Sequence, residues 1–138
     1  MDHSIRLIPQ SLRFCDEHDA HPPWCGYLTV AGEDLIVGWC GFKGDPGEHG
    51  VVEIAYFTLP DMEGRGFGSG AAECLVGIAF THEISKIRAH TLPARNASCR
   101  ILEKCGFRKT AAVEDPEDGT IWRWDHLPGE DQGTIRRP

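Results

Sequence analysis

Two features of the chain have the residue types and spacing to do chemistry. One is the run Gly64-Arg65-Gly66-Phe67-Gly68-Ser69-Gly70; the other is Glu53, an acid set within the apolar stretch 51–59. Glycine at every second position lets the backbone take positive φ and brings its N–H groups close to a ligand. The apolar run 71–80 that follows predicts a helix, whose first unpaired N–H groups and positive dipole end would face whatever the glycines cradle. That is a site for an anion, and the ligand expected there carries phosphate. Burial inside a strand would raise the pKa of Glu53 into a range useful to a base, although a strand-end glutamate can also be solvated or ion-paired.

The kind of phosphate ligand can be narrowed from spacing. A nucleoside-triphosphate loop ends in Gly-Lys-Ser or Gly-Lys-Thr, and no lysine lies between Lys43 and Lys86. A dinucleotide fingerprint can be forced onto Gly66-x-Gly68-x-x-Ala71. In that motif, however, the glycines follow the strand directly, whereas residues 60–63 intervene here, and it needs more parallel strands than the rest of the chain supplies.

The elements that must position these residues follow from patterning. Apart from Glu53, residues 51–59 are β-branched, aromatic or aliphatic and stop at Pro60, which predicts a central strand. A short strand is expected over 4–8 and a short helix over 11–18. Strands over 27–30 and 35–42 flank the turn residues Ala31-Gly32-Glu33-Asp34 as an antiparallel hairpin. Beyond the helix, 86–91 alternates as a strand closed by Pro93. Asn96 or a neighbour caps a helix to Cys105 that Gly106 ends, with Ser98, Ile101, Leu102 and Cys105 on one face. Strands over 107–113 and 120–127 close the fold around the acidic turn 115–119. Because a crossover helix joins 51–59 to 86–91, these two strands should be parallel in an otherwise antiparallel sheet. The fold class is therefore α/β with an α+β arrangement: a mixed sheet with flanking helices.

At 138 residues the chain suits a single domain over 1–127, with a short amino-terminal segment over 1–25 and a disordered polar tail over 128–138. A formal net charge of −7 argues against nucleic acid or an anionic membrane as partner and mildly favours a cationic substrate. No apolar run is long enough to span a membrane and no basic signal-peptide start is present, so a soluble, cytoplasmic protein is expected. The six cysteines contain no Cys-x-x-Cys and read as reduced thiols; the seven histidines lack paired metal spacing, so no metal site is expected. Trp24, Trp39, Trp122 and Trp124 line a pocket or fill the core, with core the safer reading.

Two motifs in order carry a resemblance to a known family. Arg65-x-x-Gly68-x-Gly70, preceded by the strand Glu53-Ile54-Ala55-Tyr56, resembles the acetyl-CoA pyrophosphate loop of the GNAT superfamily of N-acetyltransferases. Asn96-Ala97-Ser98 followed by Leu102-Glu103-Lys104-Cys105-Gly106-Phe107 resembles its closing helix, nearest to the branch named for ribosomal-protein N-terminal alanine acetyltransferases. The resemblance covers roughly residues 26–127. It implies the GNAT fold, with the central parallel pair splayed after a bulge to admit the pantetheine arm, and acetyl-CoA as cosubstrate with no metal.

The reaction implied is direct attack of a primary amine, a small molecule or a protein N-terminus, on the bound thioester. N–H groups of Gly66, Gly68, Ser69 and Gly70, within the loop that also holds Gly64 and Phe67 and with Arg65 nearby, would hold the pyrophosphate. Backbone groups of Tyr56, Phe57 and Thr58 would pair with the pantetheine, one N–H polarising the thioester carbonyl. Glu53 or His90 would take the amine proton, directly or through water, although His90 also reads as a hydrogen-bonded core residue. Many relatives protonate the thiolate with a tyrosine four residues before the motif glycine; here that position is Leu102. Ser98 is the nearest replacement, or a first-turn residue satisfying helix N–H groups. Asn96 reads as N-cap, pantetheine contact or both. The short amino-terminal segment implies an open acceptor site or one completed by a second copy in a homodimer. Two rival readings stand beside the enzyme: a non-catalytic acyl-CoA-binding or sensing domain, and a small dinucleotide-binding module.

Overall fold

A computed structural model describes residues 5–9, 23–47, 49–94 and 96–128. The expected helix over 11–18 and the tail beyond 128 lie outside these residues. The described chain forms a seven-stranded sheet in the order β1-β2-β3-β4-β5-β7-β6. The strands are β1 Ile5–Pro9, β2 Gly26–Ala31, β3 Leu35–Phe42, β4 Val51–Thr58, β5 Lys86–Thr91, β6 Arg108–Asp115 and β7 Gly119–His126. Helix α1 (Phe67–Phe80) crosses from β4 to β5, and α2 (Ala97–Lys104) links β5 to β6. Every pairing is antiparallel except β4 with β5.

The parallel pair is short. It runs from Val51–Lys86 through Val52–Ile87 to Glu53–Arg88 and stops. Beyond it, β4 stays paired with β3 as far as Gly38–Thr58, while β5 stays paired with β7 as far as Thr91–Trp122. The expected splay is present, but the expected bulge is not its cause. The β3–β4 register runs unshifted from Phe42–Ile54 to Gly38–Thr58, and the recorded shifts fall in β2–β3 and β6–β7. The two strands part because each follows its outer neighbour.

Alternation along the strands sorts side chains onto two faces. Val52, Ile54 and Tyr56 of β4 and Ile87, Ala89 and Thr91 of β5 face the helices, where Ala71, Ala72, Leu75 and Ala79 of α1 and Cys99 and Leu102 of α2 complete the core. Trp124 is 1% exposed and its Nε1 donates to Thr91 Oγ1 at 3.1 Å, as a buried indole N–H requires. Trp39 departs from the core reading: it is 50% exposed and stacks on Phe57 with ring centroids 5.4 Å apart.

Helix α1 starts at Phe67, four residues before the expected Ala71, so Gly68 and Gly70 lie within its first turn. Glycine disfavours a helix by about 1 kcal/mol, yet at these two positions a Cβ would meet Ile101 Cδ1 at 2.9 Å and Ile5 Cγ1 at 2.8 Å. Close packing on α2 and β1 selects glycine there, not an unusual φ. Gly77 on the same helix is exposed, and a Cβ added to it would meet nothing within 4 Å. Gly77→Ala should therefore raise stability by roughly 0.5–1 kcal/mol, measured by denaturant unfolding.

The outer face of β5–β7 carries charge in place of helices. Asp125, 8% exposed, accepts from Arg88 Nε at 2.8 Å and from Thr110 Oγ1 at 2.9 Å, with Lys86 Nζ at 4.0 Å. Burial alone would raise its carboxyl, but the hydrogen bonds from Arg88 and Thr110 outweigh it and hold the group below its ordinary 3.8. A depressed pKa contributes stability above the ordinary value that is lost as pH falls through the folded one. Asp125→Ala should cost roughly 1–3 kcal/mol near neutral pH by urea unfolding. The difference from wild type should shrink once the pH falls below 3.8.

Candidate active site

The parting of β4 from β5 leaves backbone groups without a strand partner. Glu53 O accepts from Lys43 N at 2.8 Å and Leu59 N donates to Val37 O at 2.8 Å, so odd-numbered residues of β4 turn their N–H and C=O towards β3. Phe57 O accordingly lies against Gly38, where a side chain would collide. By the same alternation Tyr56 and Thr58 turn theirs into the gap. Of the three backbones expected to pair with an extended ligand, Tyr56 and Thr58 are available and Phe57 is used by β3.

On the helix side the gap opens into a cavity of about 420 Å³. Its walls are the end of β4, residues 62–64 and 66–69, and Ala97, Ser98, Arg100, Ile101 and Lys104 of α2. Gly66 is the N-cap of α1 with φ 87° and offers no side-chain cap. A left-handed residue there turns the chain into the helix, and glycine adopts it without a Cβ clash. Gly70 N donates to Gly66 O at 3.0 Å, the first bond of the helix. The N–H groups of Phe67, Gly68 and Ser69 are therefore outside the helical ladder, and the Gly70 N–H, expected to bind the ligand, is not free to do so. Gly64 lines the cavity, whereas Arg65 is exposed and does not; the cations on its wall are Arg100 and Lys104, which lie one turn apart on α2.

On the opposite side of the sheet a second cavity of about 510 Å³ holds Glu53 and His90. Glu53 Oε2 accepts from His90 Nδ1 at 2.8 Å and from Lys43 Nζ at 3.4 Å. His90 Nε2 in turn accepts from Arg123 Nε at 3.2 Å, so the ring carries its proton on Nδ1 and its lone pair is engaged. Glu53 Oε1 has no hydrogen-bond partner among the described residues. In this arrangement Glu53 presents its second carboxylate oxygen to the cavity, and His90 and Lys43 fix the orientation of the group. Glu114, Asp115 and Asp118 bring further carboxylates to the wall. Asp115 is held below the usual carboxylate value by the backbone N–H groups of Asp118 and Glu117.

Tyr56 and Ser98 are the two residues that line both cavities. The Tyr56 hydroxyl donates to Ser98 O at 3.4 Å. Burial pushes this phenol well above its usual range, against the pull of the Ser98 hydroxyl beside it. Asn96 is spent on structure: its side chain accepts from Cys99 N at 3.1 Å as the N-cap of α2, and it lines neither cavity. Leu102 is fully buried in the core. Sequence reasoning missed the Tyr56 side chain, Arg100, Lys104 and Arg123. The first was weighed only for its backbone, and the cations needed the helix phase and the β5–β7 register to be placed.

Similarity to known proteins agrees with this fold. An uncharacterized N-acetyltransferase, p20, of Bacillus licheniformis is 31% identical over 91 residues, covering 65% of this chain and 51% of that protein. Aminoglycoside N(6')-acetyltransferase type 1 of Klebsiella pneumoniae is 26% identical over 97 residues, 70% of this chain and 46% of that one. The chain spans about half the length of the curated relatives it matches. In fold it is similar to the solved structure of spermidine N-acetyltransferase from Vibrio cholerae in complex with CoA and spermine. The TM-score is 0.71 at 17% identity, over 86% of this chain and 74% of that one. Residues 5–108 match the acetyltransferase (GNAT) domain, and the chain belongs to that family.

Proposed function

We propose that this chain is an acetyl-CoA-dependent N-acetyltransferase that transfers the acetyl group to a primary amine by direct attack in a ternary complex. The observation that carries this reading is the meeting of two cavities, one bearing cations and helix N–H groups and one bearing carboxylates, at Tyr56 and Ser98 across the splayed strands. Acetyl-CoA supplies, when bound, an activated acyl group on a thiol leaving group and a pyrophosphate for recognition.

The residues present suit that ligand. Phe67, Gly68 and Ser69 N–H with Arg100 and Lys104 would hold the pyrophosphate, and the Tyr56 and Thr58 backbones would pair with the pantetheine amides. A Tyr56 N–H turned into the gap would polarise the thioester carbonyl. Glu53 would take the amine proton, with Lys43 and His90 fixing its carboxylate. Base and leaving group then lie on opposite faces of the sheet, so the amine arrives on the side away from the departing sulfur.

The acceptor-side cavity carries Glu53, Glu114, Asp115 and Asp118 against Lys43 and Arg123, a balance that favours a cationic amine. This is the chemistry of the aminoglycoside and polyamine acetyltransferases to which the chain is similar. The closing-helix motif favours instead a protein N-terminus, as in the ribosomal-protein alanine acetyltransferase branch. Thiol release from acetyl-CoA over a panel of polyamines, aminoglycosides and N-terminal peptides tests the reading. Turnover on at least one of these amines is expected. Binding of CoA without turnover on any of them would leave the sensing-domain reading, which the burial of Leu102 at the family tyrosine position favours.

Three substitutions probe the two halves of the site. A Cβ at Gly68 would sit 2.9 Å from Ile101 Cδ1 and 3.4 Å from Thr58 Oγ1, at the wall of the first cavity. Gly68→Val should thus weaken CoA binding by roughly tenfold or more in calorimetry while the domain still unfolds cooperatively. Unchanged affinity would put the phosphates elsewhere. Glu53→Gln should lower kcat on the order of a hundredfold with CoA affinity kept. His90→Gln, which retains an N–H donor, should cost less than about tenfold. A larger loss of kcat in His90→Gln than in Glu53→Gln would make His90 the base.

A further inference from the structure

We propose that the Tyr56 phenol is the hydrogen-bond donor to the sulfur that leaves in the transfer step, supplied from β4 where the closing helix carries Leu102. The proposal rests on the acetyl-CoA reading above and adds a side chain to it.

Three observations carry it. The reacting atoms of two substrates must meet where their cavities meet, and Tyr56 and Ser98 are the residues common to both. The Tyr56 side chain faces the helices, on the side from which the phosphate-bearing substrate enters and opposite Glu53, so it approaches the thioester from its leaving-group side. Its hydroxyl is held by a long bond, 3.4 Å to Ser98 O, close to the limit of hydrogen bonding. A donor held so loosely can turn to a stronger, anionic acceptor without losing much.

The step balances without a net proton transfer to sulfur. The amine nitrogen forms a bond to the acetyl carbon, the carbon–sulfur bond breaks, and its electron pair goes to sulfur. The surplus amine proton leaves towards Glu53 on the other face. Because burial makes this phenol a weaker acid than an ordinary tyrosine, and a thiol titrates near 8.5, Tyr56 keeps its proton and stabilises the thiolate by hydrogen bonding. Solvent protonates the sulfur on release. Ser98 has a positioning role here: its carbonyl accepts from the phenol.

The test compares CoA with desulfo-CoA, which lacks the sulfur, by calorimetry from about pH 7 to 10 on wild type, Tyr56→Phe and Ser98→Ala. A donor to sulfur stabilises the bound thiolate, so wild-type affinity for CoA should rise several-fold as pH climbs towards the pKa of the free CoA thiol, while desulfo-CoA binding stays level. In Tyr56→Phe the rise should vanish with desulfo-CoA affinity unchanged, and kcat should fall roughly tenfold to a hundredfold. Ser98→Ala should keep most of the pH dependence. A pH dependence in Tyr56→Phe equal to wild type, or lost only in Ser98→Ala, would overturn the proposal. Its absence in wild type, read without any variant, would overturn it too. Failure of both ligands to bind wild type would instead remove the acetyl-CoA reading on which it stands.

Discussion

The structure depends on a pairing that ends early. β4 and β5 are joined over Val51–Glu53 only, after which each strand is drawn to its outer neighbour. Inside a sheet, unpaired N–H and C=O groups carry a free-energy cost that a partner must relieve. The backbones of Tyr56 and Thr58 face this gap, so an extended ligand with its own amide groups can complete the ladder. The short parallel segment is also what anchors the two halves of the sheet to one another, because every other pairing lies within one half or the other.

From that gap the division of labour between faces follows. Strand alternation puts Val52, Ile54 and Tyr56 towards the helices and Glu53 away from them. The helix face therefore offers N–H groups of α1 and cations of α2, and the outer face offers carboxylates and a fixed imidazole. The outer network is a chain of directional contacts, Lys43 to Glu53, His90 to Glu53 and Arg123 to His90, each using a different atom pair. Such a chain holds one carboxylate in one orientation and leaves its second oxygen open. Arg88 and Asp125 continue the same face towards β6 and tie the strands that carry His90 and Arg123.

The loop before α1 shows how packing reassigns a local signal. Alternating glycines read as an irregular phosphate cradle followed by a helix, and half of that pattern behaves so: Gly64 and Gly66 take positive φ. Gly68 and Gly70 are helical, and their lack of a side chain lets α1 approach Ile101 and Ile5. The N–H groups left outside the helical ladder are consequently those of Phe67, Gly68 and Ser69.

Read alone, the chain determined the order and type of nearly every described element, the parallel crossover, the cap at Asn96 and the helix end at Gly106. These are local properties: periodicity, proline stops, turn residues and a capping side chain act within a few positions of one another. The two motifs likewise named the family, and Glu53, His90 and Ser98 all line one cavity. What only the tertiary structure decided are relations between residues far apart. It paired Glu53 with His90 and His90 with Arg123, left Trp39 half exposed against Phe57, put Arg100 and Lys104 rather than Arg65 on the wall of the first cavity, and brought the Tyr56 phenol to Ser98. Each depends on register, on the side of a strand a residue falls, or on the phase of one helix against another. A shift of one residue moves a side chain to the opposite face, and local sequence carries no record of which partner it meets there.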